Sequence, residues 1–471
     1  METQCTPTQL EFHSLGRREI IGKFDGGTIT SDAGGLLLRE TEKRTGIISG
    51  FAKCFEDLRN PDLIEHTVAE LIAQRIYGLA LGYEDLNDHD DLRRDPVLAV
   101  LAEKEDPEGS QRKRPRDRGK AGAGKSTLNR LELTPADPSA AELRYKKIIM
   151  QPETIDRLLV DVFLQAHAGA PEQIVLDVDA TDDPLHGNQE GRFFHGYYKN
   201  YCHLPLYIFC GEFVLCARLR PSNIDASEGT VEELERIVGQ IRQVWPEVKI
   251  VVRGDSGFCR DSIMTWCEAH EVDFVFGLAK NERLKAIIAE ELKQAQALYE
   301  AAKLAARVFK DFRYETRDSW TRQRRVVAKA EHLDKGANPR FVVTSIGMEQ
   351  LEAQALYEQL YCGRGDMENR IKEQQLWLFA DRTSAGKMRA NQLRLYFSSV
   401  AYMLMQALRR LGLQGTQMAA AQCNTIRLKL LKVGAQVRVT VRKIWISLAG
   451  GYPNTELFYQ VLRNLQAATP F

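Results

Sequence analysis

The sequence predicts an α/β protein, a mixed sheet preceded by a mainly helical region, and three observations carry that prediction. Residues 66–81, HTVAELIAQRIYGLAL, repeat apolar side chains at Val68, Leu71, Ile72, Ile76 and Leu79, the spacing of one helix face. From residue 173 the pattern alternates, with QIVLDVDAT, LPLYIFC, FVLCARLRP, a helix over TVEELERIVGQIRQVW, VKIVVRGDSG, a helix around SIMTWCEAH and VDFVFGLA. Residues 280–346 then add a charged helix and three β-like runs, RVFKDFRYET, RRVVAKAEH and RFVVTSI.

The remaining elements follow in order. GYEDLNDHDDLRRDP ends the first helical stretch with polar residues and a proline. Residues 104–140 are rich in charge, Pro and Gly, which predicts an exposed loop. PETIDRLLVDVFLQAHAG restores a helix with Ile155, Leu158, Leu159, Val162 and Phe163 on one side. After the β-like runs comes the helix LEAQALYEQLYCGRGDMENRIKEQQ. A longer helix then carries Leu393, Phe397, Val400, Leu404, Leu408 and Leu411 on one face, and a basic hairpin-like segment follows.

A chain of 471 residues exceeds what one core organises, and 44% hydrophobic with 27% charged residues excludes a disordered or fibrous chain. With no run of about 18 apolar residues, a cytosolic protein with no membrane partner is expected. The nine cysteines are scattered, contain no Cys-x-x-Cys pair and are read as reduced thiols. Net charge is zero, yet positive charge is concentrated. Residues 111–125 hold seven Lys or Arg against one Asp, among them Arg112, Lys113, Arg114 and Arg116. Residues 425–443 hold six and no acid, among them Arg438 and Arg442. Such clusters suit a phosphate-bearing partner, and they also suit solvated faces balanced by acids elsewhere.

Residues 119–126, GKAGAGKS, fit the pattern G-x-x-x-x-G-K-[ST] of a phosphate-cradling loop. That loop needs a buried strand ahead of it, and RKRPRDR cannot be one, so a basic loop is expected instead. His186, His195 and His203 beside Cys202 fit no standard zinc spacing. Acyl-transfer chemistry has no nucleophile motif to support it.

Carboxylates are the more informative group. Asp177 and Asp179 end an apolar strand and share one face by its two-residue period, with Thr181 beyond. A second apolar run, residues 249–253, ends in Gly-Asp-Ser-Gly, where the glycine is expected to turn the backbone and leave Asp255 at the strand's carboxyl edge, where α/β sheets bind ligands. In YCGRGDMENRIK, Arg364, Glu368 and Lys372 are four apart and Tyr361 is three before Arg364, so all four project from one side of a helix. A salt-bridged surface face would show the same spacing. Two strand-end acids and one helix acid make a set of hard oxygen ligands for magnesium, or manganese in its place, as phosphodiester displacement by two ions requires.

The order D-x-T at 179–181, RGDSGF at 253–258 and Y-x2-R-x3-E at 361–368 resembles the DDE transposases of bacterial insertion sequences whose third motif is Tyr, Arg, Glu, Lys. GYEDLNDHDDLRRDP, LDVDATDDPLHGNQEG and MRANQLRLYFSSVAYMLMQALRR resemble the 1380 family of insertion sequences in particular. The resemblance implies an RNase H-like catalytic core with Asp179 and Asp255 on neighbouring strands, Glu368 on a later helix, and a β-rich insertion between the second and third acids. It implies Asp179, Asp255 and Glu368 as ligands of two magnesium ions, and selects Asp179 over Asp177. Tyr361 and Arg364 would hold DNA phosphates near the cut. The motif lysine is missing: Gln375 stands in its place, with Lys372 one turn earlier. Trp320 is a candidate to stack on an unpaired base, or simply a core residue.

The organisation expected is a mainly helical DNA-binding region at 1–165, the first part of the core at 166–280, the β-rich insertion at 281–346, the core helix with its successor at 347–412, and a basic segment at 413–471. The function implied is cleavage at the inverted-repeat ends of a mobile element and joining of its 3′-ends to target DNA. At least two protomers would act together, in the bacterial cytoplasm at the nucleoid. The alternatives are a catalytically silent protein occupying the repeats and an RNase H-like nuclease.

Overall fold

A computed structural model describes residues 9–136 and 145–469. Cys5, one of the thiols expected to be reduced, lies outside them. The chain forms two compact units. One comprises Lys53–Leu58 and Glu132–Gln406, and the other is made of Arg59–Leu131 together with the segments through Ala52 and from Ala407 on.

The first of these holds a nine-stranded mixed sheet. In spatial order its path runs Phe213–Arg218, Leu206–Cys210, Gln173–Ala180, Lys249–Gly254, Asp273–Leu278, Arg340–Thr344, Arg324–Leu333 and Ala306–Tyr314, with Gly336–Ala337 pairing off the path. The 173–180, 249–254 and 273–278 strands are mutually parallel, joined through helices Thr230–Val244 and Asp261–Ala269, while 206–210 and 213–218 run antiparallel beside them. Three antiparallel strands continued by two parallel ones is the RNase H-like arrangement. Buried Ile174, Leu176 and Val178 face one side of the central strand and pack with Leu234, Ile237 and Ile241 of helix Thr230–Val244. Val251, Val275 and Val342 face the other side, against Leu356 and Tyr357.

The strands at 306–344 belong to this same sheet. Val275 pairs with Thr344 and Val343 with Val326, so the expected β-rich insertion continues the core ladder rather than standing apart from it. That junction depends on long-range pairing, which local periodicity cannot reveal.

The other unit gathers helices Gly35–Thr45, Val68–Leu81, Pro96–Leu101 and Thr455–Ala467. Val68–Leu81 begins as its sequence requires, with Thr67 and Glu70 forming a reciprocal capping box, and ends at left-handed Gly82. Strand Ala435–Val439 pairs with Ile444–Leu448 on one side and with Ile29–Thr30 on the other, so the basic C-terminal hairpin shares a small sheet with the N-terminal segment. No helix among the described residues is long and apolar enough to cross a membrane.

Candidate active site

The 173–180 and 249–254 strands are in parallel register, with Asp177 opposite Arg253 and Val178 opposite Gly254. Alternation therefore puts Asp177, Asp179 and Arg253 on one face, and the strand end carries Asp255 beside Asp179. Gly254 is needed for close packing: a Cβ there would come 2.8 Å from Val178 Cγ2. The sharp turn expected at this glycine lies one residue later, where Gly257 N donates to Asp255 Oδ1 at 2.7 Å.

Arg253 separates the two aspartates of the first strand. Its Nε and Nη2 donate to Asp177 Oδ1 and Oδ2 at 2.5 and 2.8 Å, and its Nη1 donates to the Leu360 carbonyl. Asp177 is thus consumed in a buried pair that also ties the sheet to the following helical segment. Burial still pushes its carboxyl above the usual range, with Arg253 opposing.

Asp179 stands in another environment. Burial pushes its carboxyl up to about 7, Arg364 works against this, and the negative charges of Asp255 and Glu368 add to it. Arg364 Nη1 lies 3.4 Å from Asp179 Oδ2, while its Nη2 donates to Glu368 Oε1 at 2.7 Å. One guanidinium therefore neutralises an acid from the sheet and an acid from the helix.

The helical segment that delivers these groups is not a uniform α-helix. Leu356–Tyr361 widens into π geometry, Cys362–Arg364 tightens to 3-10, and Gly365–Leu378 continues as α-helix. Such a change of pitch in mid-segment re-aims side chains and recurs at functional sites. Tyr361 faces the sheet at Gly277, where a Cβ would meet its hydroxyl at 2.6 Å and the Asp255 backbone at 3.3 Å. Lys372 is exposed. Gln375, where the motif lysine would stand, donates to the Asp182 carbonyl at 3.2 Å and to Asp183 Oδ1 at 3.1 Å.

The donors suit a hard divalent cation: all are carboxylate oxygens, and the negative charges of Asp255 and Glu368, which add to the effect of burial on Asp179, are what a cation would relieve. Among the described residues no three acids, cysteines or histidines are gathered as ligands. Arg364 carries a positive charge shared by Asp179 and Glu368. His203 Nε2 is 2.9 Å from the Glu190 carbonyl, and His195 packs on Tyr198.

Trp320 is half-buried, edge-on to Tyr314, with Arg324 above it. Arg112, Lys113, Arg114 and Arg116 line a cleft of about 630 Å³ with Arg59, Arg93, Lys120 and Arg130. Arg112 is paired there with Glu65 at 3.1 Å and donates to His66 at 2.6 Å, while Arg114 and Arg116 are exposed. The GKAGAGKS segment is not built as a strand-to-helix phosphate cradle: a 3-10 turn at Pro115–Asp117 leads into it, Gly122 N and Ala123 N are bound to Arg93 O and Gln74 Oε1, and Lys125 holds Asn87 and Asp90. Arg438 and Arg442 are exposed on the 435–448 hairpin, with Arg438 over Trp445.

Sequence reasoning misses an aromatic hairpin beside the acids, residues 193–203, whose Tyr198 hydroxyl donates to the Ala180 carbonyl at 3.2 Å. Its signal is present as FFHGYYKNY.

A solved structure described as a piggyBac transposase synaptic complex with hairpin DNA resembles the chain at 12% identity and a TM-score of 0.41, covering 85% of this chain and 80% of that one. No curated protein matches it. The family described as transposase DDE domain group 1 matches residues 12–470, nearly the whole length. The chain therefore belongs to that family of DDE transposases.

Proposed function

We propose that this protein is the transposase of a bacterial insertion sequence, of the 1380 type, that cuts at the inverted-repeat ends of its element and joins the freed 3′-ends to target DNA. The observation that carries the proposal is the convergence of Asp179, Arg364 and Glu368 at the end of the strand beside Asp255. In this reading Asp179, Asp255 and Glu368 hold two magnesium ions, or manganese in their place. Bound there, the ions would activate a water or 3′-hydroxyl and stabilise the leaving oxygen.

The chain's own residues supply the rest. Arg364 exchanges its carboxylate partners for a DNA phosphate, which its planar fork fits. Tyr361, half-buried against Gly277, offers a hydroxyl at the same edge. Arg114 and Arg116 in the basic cleft, with Arg438 and Arg442 on the C-terminal hairpin, bind backbone phosphates. Lys372 and Trp320 are assigned to the DNA as well, the lysine because it is exposed one turn beyond Glu368. Two protomers act together on two ends.

The test uses duplexes carrying the inverted repeats found beside the gene, incubated with magnesium and resolved on denaturing gels. Cleavage at the repeat boundary, abolished by Asp255→Asn with binding retained, is expected. Tight, repeat-specific binding without cleavage in magnesium or manganese would establish the silent repeat-binding protein instead.

A further inference from the structure

Between the first two core strands the chain makes a detour, the hairpin of Phe193–His195 and Asn200–His203. Five of the nine residues from Phe193 to Tyr201 are aromatic, in a chain that is 8% aromatic overall, so the segment has a composition of its own. Most of these rings are not core. Tyr197 is 83% exposed, Phe194 57% and Tyr201 44%. Phe194 and Tyr201 are cross-strand partners with ring centroids 5.5 Å apart, and the Arg192 guanidinium lies 3.6 Å from the Tyr201 centroid.

The hairpin is held firmly beneath those rings. Ser222 Oγ donates to the Phe193 carbonyl at 2.9 Å, Asn200 Nδ2 to Asp182 Oδ2 at 2.9 Å, and Leu185 N to the Tyr201 carbonyl at 2.8 Å. Tyr198 turns inward, its hydroxyl on the Ala180 carbonyl, next to Asp179. An exposed apolar surface normally costs solubility, and a loosely held loop could fold its rings away. Here the backbone is pinned and the rings are left outside, with Arg192 and Lys199 among them. Exposed rings interleaved with cations are what single-stranded nucleic acid requires, since bases stack on the rings and phosphates meet the cations.

We propose that this hairpin is a stacking platform for unpaired DNA bases next to the acids, with Phe194, Tyr197 and Tyr201 supplying ring faces. The proposal rests on the DNA-cleaving reading above for its occupant. It assigns the platform to strand separation at the cut: a duplex end that opens there loses base stacking, and the rings replace it.

The experiment compares full-length protein with the triple variant Phe194→Ala/Tyr197→Ala/Tyr201→Ala and with Tyr197→Phe/Tyr201→Phe. The probe is an oligothymidylate of roughly 16 nucleotides bearing one 2-aminopurine, with a duplex of equal length as control. For the wild type, 2-aminopurine quenching and binding are expected. The alanine variant should lose about tenfold or more in single-strand affinity and lose the quenching, with duplex affinity little changed, while the phenylalanine variant keeps both. Equal losses for single strand and duplex, or unaltered quenching in the alanine variant, overturn the platform. Magnesium-dependent cleavage of repeat ends by the wild type is measured alongside. Cleavage with ring-independent single-strand binding sinks the platform alone, whereas ring-dependent binding without cleavage sinks the cleavage reading alone.

Discussion

Arg253 grips both oxygens of Asp177, at 2.5 and 2.8 Å, from the neighbouring strand and in parallel register with it. The pair occupies both oxygens of Asp177 and leaves Asp179, two residues on along the same face, as the carboxylate that meets Arg364. Asp179→Asn, Asp255→Asn and Glu368→Gln are each expected to bring metal-dependent cleavage below detection with end binding retained. Asp177→Asn is expected to act on stability, lowering it by on the order of 3 kcal/mol because Arg253 is left buried without its counter-charge. Chemical denaturation and single-turnover cleavage separate these effects. If Asp177→Asn abolishes cleavage at full stability while Asp179→Asn cleaves, the assignment moves back by one strand pair.

The raised carboxyl of Asp179 gives a pH signature. Its folded value, about 7, lies above the unfolded one, so the folded state favours the protonated acid. That contribution is complete below about pH 4 and is lost as pH rises through 7. Once Asp179 ionises, metal-free protein is less stable by about 4 kcal/mol than with the same group neutral. Asp179→Asn should therefore raise the thermal midpoint at pH 8 and leave it nearly unchanged at pH 4. Divalent ions should bind more tightly as pH approaches 7, releasing a proton that calorimetry in two buffers detects. A thermal gain at pH 4 equal to that at pH 8 would falsify the assignment of this carboxyl.

Much of this site is legible in the sequence. Strand period places Asp177 and Asp179 on one face, and turn chemistry places Asp255 at a strand end. Period alone cannot choose between the two aspartates, because the choice depends on Arg253 lying in register across the ladder. The π-to-3-10 change of pitch around Tyr361 and Arg364 has no local mark in a sequence whose spacing suits a plain helix. The strands at 306–344 read correctly as strands, but their attachment to the core edge and the pairing of Ala435 with Thr30 are long-range pairings. The aromatic run at 193–201 is visible yet easily overlooked, since a dense apolar stretch between two strands reads as core until its exposure is known.

Gln375 supplies a third prediction. Asp183 is fully buried, and burial drives its carboxyl well above the usual range, while Gln375 donates to it. Asp183 Oδ2 is already buried without a partner, so Gln375→Ala, which removes the donor to Oδ1, leaves both acid oxygens unsatisfied, at a cost of about 1–3 kcal/mol. Because the link also fixes Asp182, just past the end of the Asp179 strand, cleavage should fall more than binding. Gln375→Glu, which adds another acid beside Asp183 and its neighbours Asp381 and Asp182, should be worse at pH 8 than at pH 5, and thermal melts at the two pH values read the difference. Identical losses at both would show that the amide only fills space.

The basic cleft divides by partner. Arg112 is engaged with Glu65 and His66, so Arg112→Ala should cost folding stability, whereas exposed Arg114 and Arg116 are placed to meet phosphate. Replacing Arg114 and Arg116 with Ala should make the dependence of log affinity on log salt shallower by about 2, roughly 0.9 for each phosphate that is no longer neutralised. Fluorescence polarisation across a salt series gives the slope directly. An unchanged slope returns this face to an ordinary solvated surface.

The last prediction concerns stoichiometry. Each chain carries one set of Asp179, Asp255 and Glu368, and a mobile element has two ends that must reach one target together. Two ends held in a single complex react as if at high effective concentration, whereas independent complexes would have to meet by diffusion for every joining event. The helix face from Leu393 to Leu408 cannot supply the interface, because those side chains are already buried within the chain. In the two-protomer reading, contacts between protomers therefore use other surfaces of the chain. Light scattering should accordingly find the protein at one mass without DNA and at two protomers with two ends once repeat duplex is added. A complex of one protomer and one end that still carries out paired-end joining would rule this out, and it would require one acid site to process both ends in turn.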